Sequence, residues 1–403
     1  MPYLKMYPAK NGDAFLIRDN VTKPAAILID GGYASTFQEC ISPDLTDLAR
    51  LGYSLDLVVA THIDADHIAG LLAFFKLNGN SQAPRIIQVE DVWHNSLQSL
   101  AVPTETDGNA VPDDEDLLAE ILRRGYPMST EPVVKSVEIS ARQGSSLAVL
   151  LLGEGYRWNA GDGTRSINSA DTSLFELRPD VRLQVIGPPV VRLEQLHRQW
   201  IADLRRLGFV GKIGSNGNFD DAFEFLCAFK DFRESVRAEP TALSSSANRS
   251  LDEAYLADVS VTNGSSISII VEVGTSRLLF LGDSWAEDIE SALRELPNAA
   301  FPMIFDAIKI SHHGSLHNTS PVLLEMVDAP VFLISSSGER HSHPDLEVLK
   351  AIVDRPSNFQ RHLHFNYTTP ASQQMRHYIA KSGAAFVIHE GSTDWLEIGV
   401  RQL

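Results

Sequence analysis

The stretch His62-Ile63-Asp64-Ala65-Asp66-His67 puts two imidazoles and two carboxylates into a very short run. Imidazole with carboxylate is a good ligand set for zinc, and it also serves manganese or iron. A loop this short can aim alternate side chains at one centre and adjacent ones at a second. The competing reading is a polar loop opening a helix, with Asp64 or Asp66 as its cap. Three further polar groups follow apolar runs. Leu278 to Leu281 leads into Gly282-Asp283, Ile308 to Ile310 into Ser311-His312-His313-Gly314, and Val331 to Ser335 into His341-Ser342-His343-Pro344. Each alone has an ordinary explanation as a turn or a structural histidine. Together they stand where α/β folds build their sites, past the ends of successive buried strands, and that pattern favours a metal centre.

The elements that must carry these groups alternate in type. Ala14 to Arg18 and Ala25 to Ile29 read as strands, the second running into Asp30-Gly31-Gly32. Pro43 to Leu51 reads as a short helix stopped by Gly52. Leu55 to Ala60 reads as a buried strand, Ile68 to Leu77 as a helix and Arg85 to Val92 as a further strand. Val181 to Ile186, Ser266 to Val273 and Arg277 to Leu281 are strands in the second half. This order predicts a layered α/β architecture in one domain over residues 1–403. Two spans break the order and read as insertions. Residues 100–180 are mixed and irregular, and residues 190–258 are mainly helical.

Composition narrows the function classes. The chain has 403 residues, 44% of them hydrophobic, and a formal net charge of −18. That is ordinary globular composition. The acidic balance argues against a non-specific grip on long duplex nucleic acid, which needs a basic surface. It leaves phosphate substrates open, because bound cations would dominate the local field. Two cysteines provide neither a disulfide framework nor a thiolate metal site. The first residues lack the pattern of an export signal, and no run is long enough to span a bilayer. A cytoplasmic chain without a membrane partner is expected.

The order of the motifs resembles the metallo-β-lactamase superfamily, and within it most nearly the hydrolase domain attached to the DNA-uptake channel protein ComEC. Asn11-Gly12-Asp13-Ala14, Asp30-Gly31-Gly32, Thr61-His62-Ile63-Asp64-Ala65-Asp66-His67-Ile68-Ala69-Gly70, Asn263-Gly264-Ser265-Ser266, Gly282-Asp283, His312-His313-Gly314-Ser315 and His343-Pro344 follow in that group's order. The resemblance covers roughly residues 5–100, 180–190 and 260–355 and leaves both insertions unmatched. It implies an αββα sandwich, two mixed sheets face to face with helices outside. It also implies two divalent metal ions, zinc above all, with manganese or iron compatible. His62, Asp64 and His94 would hold the first metal, with Asp66, His67 and one of His312 or His313, His313 for preference, on the second and Asp283 bridging. Asp30 would orient a ligating histidine from behind. His312 would face the substrate, and His312 or His343 would supply a proton. Asp64 stands where the wider superfamily usually has histidine, which makes the set richer in oxygen.

The expected chemistry is two-metal hydrolysis, in which a hydroxide held between the metals attacks phosphorus or a carbonyl carbon. A phosphodiesterase or nuclease is the leading reading, with Asp66, His312 and His343 as catalytic groups. Its substrate would be a phosphate-containing small molecule or a short or single-stranded nucleic acid. Arg192, Arg198, Arg205, Arg206 and Lys212 in the second insertion could assist, or form a solvated helix face. Three other readings stand beside this one. They are hydrolysis of a lactone, thioester or β-lactam, a diiron redox protein, and a defence or regulatory component whose insertions bind a partner protein.

Overall fold

Ala25-Ala26-Ile27-Leu28-Ile29 is buried along its whole length, as a strand between two apolar layers must be. The computed structural model describes residues 2–19, 25–100, 116–121, 146–170, 174–211, 213, 217–237, 249–339 and 342–399. The first sheet contains β1 (Tyr3–Met6), β2 (Phe15–Arg18), β3 (Ala25–Ile29), β4 (Ser54–Val59) and β5 (Val92–Trp93). The second contains β6 (Phe175–Arg178), β7 (Val181–Gly187), β8 (Ser268–Val273), β9 (Ser276–Phe280), β11 (Ala307–Lys309), β13 (Val331–Ile334), β14 (Arg361–Phe365) and β15 (Phe386–Glu390). Strands β10 (Met303–Ile304) and β12 (Val327–Asp328) make a small parallel pair, and β16 (Leu396–Glu397) closes the edge of the first sheet beside β1.

The strand orders are β16-β1-β2-β3-β4-β5 and β15-β14-β13-β11-β9-β8-β7-β6. Both sheets are mixed. In the first, β3, β4 and β5 are parallel and the others antiparallel. In the second, β6 to β9 run antiparallel and β9 to β15 parallel.

The sheets pack face to face. Phe15, Ile27 and Val59 of the first meet Leu183, Val271 and Phe280 of the second in one buried cluster. The rings of Phe15 and Phe280 meet edge to face with centroids 5.5 Å apart. Each such side chain stabilises the fold by about 1.5–3 kcal/mol through burial. The outer face of the first sheet is covered by the helices Ser42–Arg50 and Ala65–Asn78, through Leu45, Leu48, Phe74 and Phe75. Ala286–Glu295 and Leu346–Asp354 cover the second through Ile289, Leu293, Val348 and Leu349. The result is the expected αββα sandwich.

One expected element differs. The strand read over Arg85 to Val92 shrinks to Val92–Trp93, with a single bridge from Val89 to Leu55. Asn78 is the reason. Its Oδ1 accepts from the backbone N–H of Ile86 and Ile87, and its Nδ2 donates to the Ile87 carbonyl at 3.0 Å. A side chain thus satisfies the backbone groups that a ladder would have used.

Within the span read as a first insertion, Leu147–Gly153 is a helix and Phe175–Arg178 is the edge strand β6. Residues 101–115 and 122–145 of that span lie outside the described residues. Within the second span, Val190–Arg206 and Gly217–Arg237 are helices. Lys212 and residues 214–216 and 238–248 lie outside the described residues, as does His341. Among the described residues, no helix is long and apolar enough to cross a membrane. Cys40 and Cys227 are free thiols.

Candidate metal centre

Two glycines set the position of the histidine-aspartate run. Gly31 N donates to His67 O at 2.8 Å, and Gly70 N donates to Gly32 O at 2.8 Å. A Cβ on Gly70 would lie 1.9 Å from Gly31 O, so only glycine permits this approach. The contact presses the first turn of the helix Ala65–Asn78 onto the Asp30 turn. Asp30 Oδ2 then sits 2.8 Å from Nδ1 of His67, and the same carboxylate accepts from Thr61 N at 2.8 Å and Thr61 Oγ1 at 2.7 Å. Nδ1 of His67 therefore donates to Asp30, and its Nε2 faces inward.

Asp64 occupies the position before the helix but makes no capping bond with its side chain. Its Oδ2 instead lies 3.4 Å from Nε2 of His62. The helix-cap explanation therefore does not describe Asp64. Asp66, in the first helical turn, accepts from Asn11 Nδ2 at 2.8 Å through Oδ2.

Asp283 is the hub. It follows β9, and its Oδ2 lies 3.5 Å from Nε2 of His67, 3.5 Å from Nε2 of His313, 3.8 Å from Nε2 of His312 and 3.9 Å from Nε2 of His62. These separations are too long for hydrogen bonds. Its Oδ1 faces Lys309 Nζ at 3.5 Å. Lys309, on β11, also donates to Gly282 O at 2.8 Å and pairs with Asp13.

The two adjacent histidines are placed by a strained turn. His312 and His313 both adopt left-handed backbone, with φ of 45° and 57°, a conformation rare for side-chain-bearing residues and common at functional sites. His313 is buried and its Nδ1 donates to Ser335 O at 2.9 Å, leaving Nε2 toward Asp283 and 3.9 Å from Asp66 Oδ2. His312 is more open, with its side chain 24% exposed. Its Nδ1 is held by Asn318 Oδ1 at 2.7 Å, with Asn263 Nδ2 at 3.3 Å. His343 stands next to it, ring centroids 5.2 Å apart, with Nδ1 3.3 Å from Asp345 Oδ2.

Ligand atoms within 4.8 Å of one another group His62 with His67 and Asp283, Asp66 with His67 and His313, and Asp283 with His312 and His313. The structure thus brings together His62, Asp64, Asp66, His67, Asp283, His312 and His313, with Asp30 behind. It does not bring His94 into these groups. His94 Nε2 lies 2.8 Å from Glu224 Oε1, and the ring stacks on Trp158. The same glutamate accepts from the N–H groups of Leu147 and Ala148, so it pins the helices Leu147–Gly153 and Gly217–Arg237 and His94 together. Nδ1 of His94 is buried without a hydrogen-bond partner.

The protonation states follow from burial and neighbours. Burial would raise the Asp283 carboxyl, but His313, His67, His312 and Lys309 outweigh it and hold the group well below the usual range. Burial would lower His67, yet Asp283 and Asp30 keep it well above its ordinary value. Burial, aided by His67, brings His62 down to about 4. His312 likewise falls to about 4, through burial and the neighbouring His343 and His313. The donor set fits divalent cations. Nε2 of His62 and Nε2 of His67 are buried with no hydrogen-bond partner, although buried polar atoms are normally satisfied. Imidazole nitrogens and carboxylate oxygens that converge without bonding one another match the ligand chemistry of zinc.

Lys309, Asp13, Asn11, Asn318 and Asp345 have no assigned role in the sequence reading. A lysine flanked by Ile308 and Ile310 in a buried strand was the one signal pointing to Lys309. The arginines of the second insertion are already engaged. Arg198 pairs with Glu194, Arg206 with Asp203 and Arg192 with Asp288, and Arg205 donates to Phe209 O.

Residues 7–140 match the family model described as Metallo-beta-lactamase superfamily. This match covers less than half of the chain, and the two mixed sheets with helices outside are consistent with the metallo-β-lactamase fold. Among solved structures, the Zn(2+)-bound PqqB from Methylobacterium extorquens is similar at 12% identity with a TM-score of 0.33, covering 95% of this chain and 86% of that one. No curated protein matches the chain.

Proposed function

We propose that this chain is a metal-dependent hydrolase acting on phosphodiesters, with the ComEC-type hydrolase domains as its nearest functional analogues. The observation that carries the reading is the convergence of four imidazole Nε2 atoms on Asp283 Oδ2. His62, Asp64, Asp66, His67, Asp283 and His313 would hold two divalent cations, of which zinc suits the donors best. Bound there, such cations supply the positive charge and Lewis acidity with which hydrolysis proceeds at neutral pH.

The protein's own groups do the rest. Asp30 fixes the ring of His67, Lys309 fixes one oxygen of Asp283, and Asn11 fixes Asp66. His312 donates from Nδ1 to Asn318 Oδ1 and presents the Nε2 lone pair as an acceptor for a substrate hydroxyl or a water. His343 is backed by Asp345, whose carboxyl burial would raise but the neighbouring His343 holds below its usual range. The Nε2 of His343 then serves to deliver a proton to the leaving oxygen. A phosphodiester substrate accounts for such an acid, because an alkoxide leaving group needs a proton.

A cleft of about 300 Å³ opens between the helices Val190–Arg206 and Gly217–Arg237 and the segment 258–262. Its wall residue Asp258 accepts from Asn263 and Asn318, the two side chains that hold His312. With Arg192, Arg198, Arg205 and Arg206 engaged and a net charge of −18, the molecule suits small or short substrates, and the helical inserts would frame them. The test is a panel of bis(p-nitrophenyl) phosphate, single-stranded DNA, RNA, cyclic dinucleotides and nitrocefin, assayed with zinc or manganese and with chelator. Metal-dependent phosphodiester turnover is expected. Turnover of nitrocefin with none of any phosphodiester overturns the reading.

A further inference from the structure

A second histidine cluster lies away from the Asp283 centre. Strand β14 reads Arg361-His362-Leu363-His364-Phe365. Leu363 and Phe365 are buried in the core under the outer helices, so alternation sends His362 and His364 to the opposite face of the sheet. Strand β15 runs parallel to it, with His389 paired in register with His364. Phe386 and Ile388 pack on the helix side, which leaves His389 on the histidine face. Three imidazoles therefore share one face of the last two strands of the sheet.

Their geometry is close. The rings of His364 and His389 are parallel within 8°, centroids 4.2 Å apart, and those of His362 and His389 are 5.2 Å apart. Nδ1 of His362 and Nε2 of His389 are 2.9 Å apart, so one donates to the other. One ligand nitrogen from each of the three lies within 4.8 Å of the others. Nδ1 of His364 is buried with no hydrogen-bond partner. All three rings are half-buried, and a cationic stack at these distances would repel itself, so they are neutral donors. Nitrogens bound to zinc at about 2.0–2.1 Å stand roughly 3.4 Å apart in a tetrahedral set. The three rings lie within 27° of parallel, so at least one must turn before three in-plane lone pairs meet at a single ion.

We infer that His362, His364 and His389 form a further cation site, independent of the Asp283 centre, that takes one divalent transition metal of the zinc class. The three nitrogens leave a fourth position to water or an outside ligand, as three-histidine zinc sites do. The cation would clasp the strand β15, whose ladder among the described residues is with β14 alone, to the body of the sheet.

The test uses the full-length protein, stripped by chelator, dialysed and titrated with zinc(II), with metal content read by mass spectrometry. Wild-type protein is expected to hold one equivalent more than His364→Gln and one more than His389→Gln, and both variants are expected to keep any turnover supported by the Asp283 centre. Equal zinc content in wild type and both folded variants overturns the inference. Anomalous diffraction at the zinc edge from wild-type crystals grown with zinc needs no variant. A peak among the three rings supports the site, and ordered rings without one at saturating zinc overturn it.

Discussion

Lys309 Nζ stands 3.5 Å from Asp283 Oδ1, while the other oxygen of that carboxylate faces four imidazoles. A buried ammonium thus divides the carboxylate into one oxygen held by lysine and one left to the imidazoles. Lys309 is itself held by the buried Asp13 and by Gly282 O, so the division is fixed by the sandwich rather than by solvent.

Lys309→Met is expected to leave Asp13 and Asp283 buried with unbalanced charge. Removing one partner of a buried pair costs about 3–5 kcal/mol. Chemical unfolding should register a loss of that order, together with lower zinc retention after dialysis. A variant as stable as wild type, with unchanged metal content, would show that the ammonium does not set the carboxylate.

Asp30→Asn tests the group behind His67. The asparagine can still accept from Thr61, but it no longer favours the tautomer that turns Nε2 inward. Loss of such a partner typically weakens metal binding 10–100-fold. Chelator competition should read that drop with the circular dichroism spectrum unchanged. Unaltered affinity would remove Asp30 from the site.

Asp66→Ala takes away a carboxylate whose Oδ2 is oriented by Asn11 and lies 3.9 Å from His313 Nε2. One equivalent of metal and essentially all turnover should disappear together. An active Asp66→Ala enzyme would refute the assignment of this residue.

The strand-end groups were legible in the sequence because the ends of adjacent strands bring residues close in space. His62 to His67, Asp283 and the His312–His313 pair carry their own chemistry in a short local pattern. Lys309 is different, because its meaning lies in Asp13, which sits in the loop leading into β2 of the other sheet. Glu224, which takes the Nε2 of His94, is 130 residues away on an insertion helix, and no local spacing announces that pairing. The strand expected over Arg85 to Val92 failed for a related reason. Asn78 satisfies that backbone from outside the segment. Local patterns reveal what each residue can do, whereas these partners are decided by how the sheets and inserts are brought together.

His343→Gln separates proton donation from binding. A p-nitrophenolate leaving group needs no proton, whereas a nucleoside alkoxide does. Turnover of bis(p-nitrophenyl) phosphate should change little, while kcat on a dinucleotide falls about 10²–10⁴-fold with KM nearly constant. Equal loss on both substrates would assign His343 to structure or binding instead.

The helical insert carries its own pH dependence through Asp220. Burial raises its carboxyl from 3.8 to about 7, with the charges of Glu224 and Asp221 adding to the rise. Between those values the folded chain keeps a proton that the unfolded chain has lost. Stability therefore falls as pH climbs from about 4 to about 7, then levels off, with roughly 2–4 kcal/mol at stake. Asp220→Asn keeps an oxygen for the Gln98 N–H, which now bonds Asp220 Oδ1 at 3.2 Å, and removes the titration. Unfolding measured at pH 5, 6, 7 and 8 should find the variant flatter than wild type and more stable at pH 8. Parallel curves would show that Asp220 titrates near its ordinary value in the folded protein.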